Sequence, residues 1–87
     1  MMKNSVREWI LETLDEEDIL FVDGFDDAIV GFDHASLRVI YDVQLMFMIL
    51  LEEGMESEDV RDHLDYNILN AYVGEKTPIY MLSQIIK

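Results

Sequence analysis

Two groups of side chains in this sequence have residue types that could carry chemistry. The first is Asp59, His63, Asn67 and Asn70, which recur at helical spacing, so that Asp59 could orient His63 as a general base. The same spacing also describes an ordinary surface pair on a helix, with Asn67 bonded to a backbone group in the core. Because no Ser, Thr or Cys is placed as an evident nucleophile, we expect a protein that is not an enzyme.

The second group is the run Asp23-Gly24-Phe25-Asp26-Asp27, with Asp33 nearby. Carboxylate oxygens are the ligands that Ca²⁺ and Mg²⁺ prefer, but the spacing here does not match an EF-hand loop. A solvated acidic turn is therefore the simpler interpretation, and a divalent-metal-binding module is the lesser alternative. The sequence contains no Cys, which excludes disulfides and thiolate metal sites. We expect no cofactor.

Negative charge dominates the composition. The chain has 19 Asp and Glu against 6 Lys and Arg, a formal net charge of −13 in 87 residues, although 51% of its residues are hydrophobic. Ten acids lie between Arg7 and Arg38, and six more between Arg38 and Arg61, with no Lys or Arg among them. This charge disfavours direct binding to nucleic acid or to an anionic membrane, and favours a basic protein partner. Solubility alone would require a net charge of only ~2–8.

The predicted partner-binding surface lies where the first helix ends and the first hairpin begins. We expect Phe25 to be partly exposed in its loop, where an aromatic ring among carboxylates would suit an arginine-rich partner. The predicted partner-binding residues are Asp15, Glu16, Glu17, Asp18, Asp23, Phe25, Asp26 and Asp27.

Hydrophobic periodicity predicts the elements that must position these residues. A capping-box pattern that begins at Ser5 predicts a helix over residues 5–14. Short apolar runs at 19–22, 28–32 and 37–41, separated by polar turns, predict a three-stranded antiparallel meander.

The second half of the chain is predicted to be largely helical. Asp42 can cap a helix over Val43–Glu53, and Gly54 can end it. This helix is apolar nearly all round, so it lies either centrally in the core or half-buried against a second subunit.

Ser57 can cap a further helix that ends at Gly74. The apolar stripe of that helix consists of Val60, Leu64, Ile68 and Ala71. Thr77-Pro78 then predicts the start of a short last helix, with a strand at 79–82 as the alternative. The sequence therefore predicts one small α+β domain: an N-terminal helix, a three-stranded antiparallel meander, then two or three helices, with the last element a helix or a strand.

Five short motifs follow one another along the chain: Gly24–Gly31, Tyr41-Asp42, Glu52–Met55, Tyr66-Asn67 and Ala71–Pro78. In this order they resemble a family of small acidic proteins that recur in tailed-bacteriophage genomes. The resemblance covers about residues 20–81 and implies a phage origin and the α+β order given above. It supplies no activity and no catalytic residue.

The longest apolar run, Leu45–Leu51, is seven residues, far below the ~20 needed to span a bilayer. We therefore expect a soluble, cytoplasmic protein, and the resemblance to phage proteins implies the cytoplasm of an infected bacterial host. The predicted function is a non-enzymatic phage accessory protein whose acidic face binds a basic surface. Its sharpest form is a DNA mimic that inhibits a host nucleic-acid-binding or defence protein. The alternative is a homo-oligomeric structural or assembly protein that dimerises through Val43–Glu53.

Overall fold

The computed structural model describes residues 5–14 and 19–82 of the chain, and these residues form an α+β fold. In chain order the elements are α1 (Ser5–Leu14), a 3₁₀ turn (Asp26–Ala28), β1 (Ile29–Phe32), β2 (Val39–Asp42), α2 (Val43–Glu52), α3 (Ser57–Leu64), a π-helical segment (Asp65–Leu69) and β3 (Ile79–Met81). The helix predicted over residues 5–14 is confirmed. The side chain of Ser5, Asp15–Asp18 and residues 83–87 lie outside the described part.

The three strands form a mixed sheet with the order β1-β2-β3. β1 pairs antiparallel with β2, whereas β2 pairs parallel with β3, with Ile40 opposite Ile79 and Tyr41 opposite Tyr80. The predicted three-stranded antiparallel meander is therefore wrong. Its segments at 28–32 and 37–41 do form the antiparallel β1–β2 pair, but the third strand of the sheet is β3, which pairs parallel with β2. Parallel neighbours require a long crossover connection, and α2 and α3 lie within the connection between β2 and β3.

The apolar run at residues 19–22 is irregular rather than a strand, which corrects the prediction. The backbone N–H of Val22 donates to the hydroxyl of Tyr41 at 2.7 Å, and the carbonyl of Val22 accepts from the N–H of Phe25 at 3.3 Å. Ile19, Phe21 and Val22 pack half-buried against the core. The hydrophobic residues of this run therefore indicate burial but not a strand. Their backbone polar groups form hydrogen bonds outside a sheet.

The β1–β2 hairpin contains an irregularity that sets which side chains face the core. The strand register shifts between Ile29 and Gly31. Such a shift arises where a β-bulge inserts one extra residue into one strand. Ile29 and Val39 are buried, and Val30 is exposed. The loop predicted from Asp33 to Ser36 is confirmed, and the Asp33 carboxylate accepts from both the N–H and the hydroxyl of Ser36 at 2.8 Å. These hydrogen bonds lower the pKa of Asp33.

Asp42 caps α2 as predicted, because its carboxylate accepts from the backbone N–H of Gln44 at 2.9 Å. The cap residue is itself fully buried. Gly54 follows the helix with a φ of +105°, a conformation that glycine adopts with little strain. Although α2 is apolar nearly all round, it is not buried on every side: Met46 and Leu50 are buried, while other large side chains remain exposed.

The predicted Ser57 cap is wrong, since Glu56 is the cap residue of α3 and makes no side-chain capping bond. The predicted long helix is also shorter than expected. α3 passes into the π-helical segment at Asp65, and the helical backbone ends at Asn70 rather than at Gly74. Ala71 is consequently exposed instead of lying on the apolar stripe.

The last described element is the strand β3, so the helix predicted after Thr77-Pro78 is wrong and the strand alternative is confirmed. The Thr77 hydroxyl donates to the carbonyl of Gly74 at 2.6 Å and accepts from the N–H of Val73 at 2.9 Å. It therefore closes the preceding loop instead of capping a following helix. A further hydrogen bond joins this loop to Arg38, whose Nε donates to the Thr77 carbonyl at 2.6 Å.

The core lies where α1, the sheet, α2 and α3 meet. Its buried hydrophobic residues are Ile10, Phe25, Ala28, Ile29, Val39, Tyr41, Met46, Leu50, Val60 and Leu64. Within residues 5–14 and 19–82, no helix has the length and apolar character needed to cross a membrane.

Candidate functional site

The predicted partner-binding surface is only partly available to a partner. Asp15–Asp18 fall outside the described residues. Asp23 and Asp27 are exposed in and beside the turn that precedes β1.

Phe25 is a core residue with 5% of its surface exposed, so the expectation that it is partly exposed is wrong. It precedes the 3₁₀ turn, and its carbonyl accepts from the N–H of Ala28 at 2.9 Å. The Phe25 ring is buried at the start of this tight turn, although carboxylates flank Phe25 in the sequence. The described cation–π contact is an internal one, with the Arg7 guanidinium 4.4 Å from the centre of the Phe21 ring.

Asp26 is occupied by an ion pair within the protein. Nη1 of Arg7 donates to its two carboxylate oxygens at 2.9 and 3.0 Å, and both side chains are partly buried. The pair joins α1 to the 3₁₀ turn. Asp26 therefore contributes to holding α1 in place, and its charge is largely neutralised for any partner.

The described exposed carboxylates concentrate instead at the end of α2 and along α3. We call this surface the acidic corner; it consists of Glu52, Glu53, Glu56, Glu58, Asp59, Asp62 and Asp65. Arg61 is the sole Lys or Arg within residues 52–65. Glu58 and Asp59 lie in the first turn of α3, where the helix dipole stabilises negative charge.

The acidic corner was not predicted as a site. Glu52 and Glu53 were assigned to a core helix and Asp59 to a polar stripe, and the other four acids were given no binding role. The available signal was the stretch without Lys or Arg before Arg61, together with the acids that follow Arg61. The turn at Gly54 was predicted, but the exposure of these carboxylates was not.

The polar stripe predicted along α3 is only partly assembled. Nδ2 of Asn67 lies 3.2 Å from Nδ1 of His63, within hydrogen-bond distance. Nδ2 of Asn70 donates to the backbone carbonyl of Asp65 at 3.0 Å. Asn67 is exposed, which corrects the interpretation that it bonds a backbone group in the core. Asn67 is thus the described hydrogen-bond partner of His63, and its amide is not a nucleophile.

No group of three or more His, Asp or Glu side chains within the described ranges 5–14 and 19–82 is arranged to hold a metal ion. An apolar cavity of about 380 Å³ lies between the irregular run 20–22 and the segment 67–80, and Ile68, Pro78 and Tyr80 are among its lining residues. Burial raises the pKa of Tyr80.

No protein-family model, curated protein or solved structure matches this chain. The resemblance to small acidic phage proteins therefore stays a prediction.

Proposed function

We propose that this protein is a non-enzymatic binding protein whose acidic corner docks on a basic surface of another protein. The observation that carries the proposal is the set of seven exposed carboxylates with a single arginine among them. Such a surface attracts Lys- and Arg-rich partners and repels phosphates and anionic lipids. In the setting that the sequence motifs favour, the protein is a phage accessory factor that acts in an infected bacterial cell.

The number of charges in the acidic corner supports the DNA-mimic form of this proposal. Duplex DNA carries one charge per ~1.7 Å of axis, so seven charges correspond to about 12 Å of duplex. Three of the seven carboxylates lie on α3, and the others lie on the end of α2, between the two helices and at the start of the π-helical segment. A host protein that normally contacts phosphates would therefore meet a similar number of negative charges. Binding by Asp23, Asp27 and Asp15–Asp18 remains a part of the proposal.

The test is capture of partners from bacterial lysate on the immobilised full chain. The discriminating variant is Glu58→Gln/Asp62→Asn, which removes two charges from α3. Its matched control is Glu8→Gln/Glu12→Gln on α1, where both side chains are also exposed. We expect a basic protein that is retained at low salt, released at high salt and displaced by added duplex DNA.

The captured protein should be lost with the α3 variant and retained with the α1 control. Arg61→Glu should increase its retention, since the change removes the cation within the acidic corner. Equal capture by the α3 variant and the α1 control would contradict the proposal, because binding would then not depend on the acidic corner.

A further inference from the structure

The outer face of α2 is an apolar helix face without a covering element among the described residues. Gln44, Phe47, Met48 and Leu51 recur along it at the spacing of one helix face. Met48 is 47% and Leu51 39% exposed, and Phe47 is half-buried. Contiguous exposed apolar side chains with a polar rim are typical of an interaction surface.

Two open hollows extend this face toward α3. One, of about 440 Å³, is lined by Phe47, Ser57, Glu58, Arg61 and Asp62. The other, of about 320 Å³, shares Phe47 and Arg61 with the first and adds Val43, Gln44 and Leu82. The hollows adjoin one another at Phe47 and Arg61, which line both. Met48 and Leu51 do not line either hollow and lie with Phe47 on the outer face of α2. We call the two hollows together with this face the α2–α3 groove.

The charge around the α2–α3 groove selects among its possible occupants. Glu58 and Asp62 are part of its lining together with Arg61, and Glu52 follows Leu51 at the exposed end of α2. Carboxylates therefore outnumber cations there by three to one. A second copy of this chain would bring the same carboxylates against one another, in a protein whose net charge is already −13. A basic occupant would instead neutralise them, so charge complementarity favours a cationic partner over a homodimer.

We propose that the α2–α3 groove binds a basic amphipathic helix of the partner protein, an inference that rests on the proposed function and names its binding element. Its apolar side chains would lie on Phe47, Met48 and Leu51, and its flanking Lys or Arg would contact Glu52, Glu58 and Asp62. A groove between two packed helices accepts a third helix by interlocking side-chain ridges. This mode of recognition requires an apolar stripe as well as positive charge.

The test uses three synthetic peptides of equal length with the full-length protein. The first has leucines at the spacing of one helix face and lysines elsewhere. The second is a scrambled version with the same composition and charge, and the third keeps the leucine stripe but replaces lysine with glutamate. Binding is measured by fluorescence anisotropy, and the contact surface is mapped by amide chemical shifts.

Two sets of variants separate apolar contacts from charge. Met48→Ser/Leu51→Ser alters exposed side chains of the groove, and Leu20→Ser/Val73→Ser is the control at exposed apolar positions elsewhere. We expect the groove variant to weaken binding of the first peptide by about tenfold, since two interface side chains are truncated. The control variant should bind as the unmodified protein does, with shift changes confined to α2 and α3.

The outcomes distinguish the two proposals. If the scrambled peptide binds as tightly as the first and both depend on the acidic corner, the helix-binding inference is overturned while the proposed function stands. If neither lysine peptide binds, or the glutamate peptide binds equally well, both proposals fail. Sedimentation that shows a dimer dissociated by Met48→Ser/Leu51→Ser would also overturn the inference, because a second copy would then occupy the groove.

Discussion

The hydroxyl of Tyr41 accepts a hydrogen bond from the backbone N–H of Val22 at 2.7 Å, and this bond ties an irregular segment to the central strand. Tyr41 is fully buried in β2, and its ring centre lies 6.0 Å from that of Tyr80 in β3. One side chain therefore contacts two parts of the chain that are distant in sequence. The bond also explains how residues 19–22 approach the sheet without forming a strand.

Tyr41→Phe should lower the free energy of unfolding by about 1–2 kcal/mol, because it leaves the N–H of Val22 without its acceptor. Tyr80→Phe removes the same hydroxyl from a half-buried ring and should have the smaller effect. Urea denaturation of the two variants measures the difference. Equal losses would show that the Val22–Tyr41 bond adds nothing to stability.

Stability at alkaline pH should depend on Tyr41. Burial raises the pKa of Tyr41 from 10 to about 12, so the folded protein favours the neutral phenol. This contribution is complete below pH 10 and is lost as the pH rises from 10 to 12. Over this range the unmodified protein should lose up to about 2–3 kcal/mol more than Tyr41→Phe does. Denaturation at several pH values, with tyrosinate absorbance recorded in parallel, provides the measurement.

The Arg7–Asp26 pair should contribute to the attachment of α1. Asp26→Asn should destabilise the protein by about 0.5–1 kcal/mol relative to Asp23→Asn, which removes the same charge from an exposed side chain. The comparison is needed because either change also relieves repulsion in an acidic protein. The difference should decrease at high salt, and its absence at low salt would contradict the contribution of the pair.

Asp42 and Ser57, two of the predicted helix caps, should respond differently to alanine. Asp42→Ala removes an acceptor of the Gln44 N–H and should cost at least about 1 kcal/mol. Ser57→Ala should change stability by less than about 0.5 kcal/mol, since Ser57 is not the cap residue of α3. Thermal unfolding of both variants checks this contrast. A large loss for Ser57→Ala would restore the cap that the sequence predicted.

Two elements set by neighbouring residues were predicted well. The bounds of α1 follow from periodicity, and the cap of α2 follows from the carboxylate of Asp42 two residues before Gln44. The Ser57 cap, an equally local signal, was wrong. Segments 19–22 and 79–82 were not determined in this way. A short apolar run fits a helix, a strand or an irregular segment equally well, and its conformation depends on which distant backbone is available to bond with it.

The candidate site shows the same division. The sequence predicted an acidic binding surface, but placed it around Phe25, which is buried, and Asp26, which is paired with Arg7. A carboxylate in the sequence carries no sign of whether an arginine elsewhere will neutralise it. The acidic corner depends on which carboxylates of α2 and α3 are exposed, and the folded structure decides this.

By itself, the sequence determined the charge of the chain, its α+β composition and the local signals that begin and end α1 and α2. These properties depend on residue type and on short-range hydrogen bonds and periodicity. The tertiary structure alone decided the parallel pairing of β3 with β2, the exposure of α2 and the exposure of the carboxylates in the acidic corner. Each of these depends on contacts between residues far apart in the chain, which no local pattern encodes.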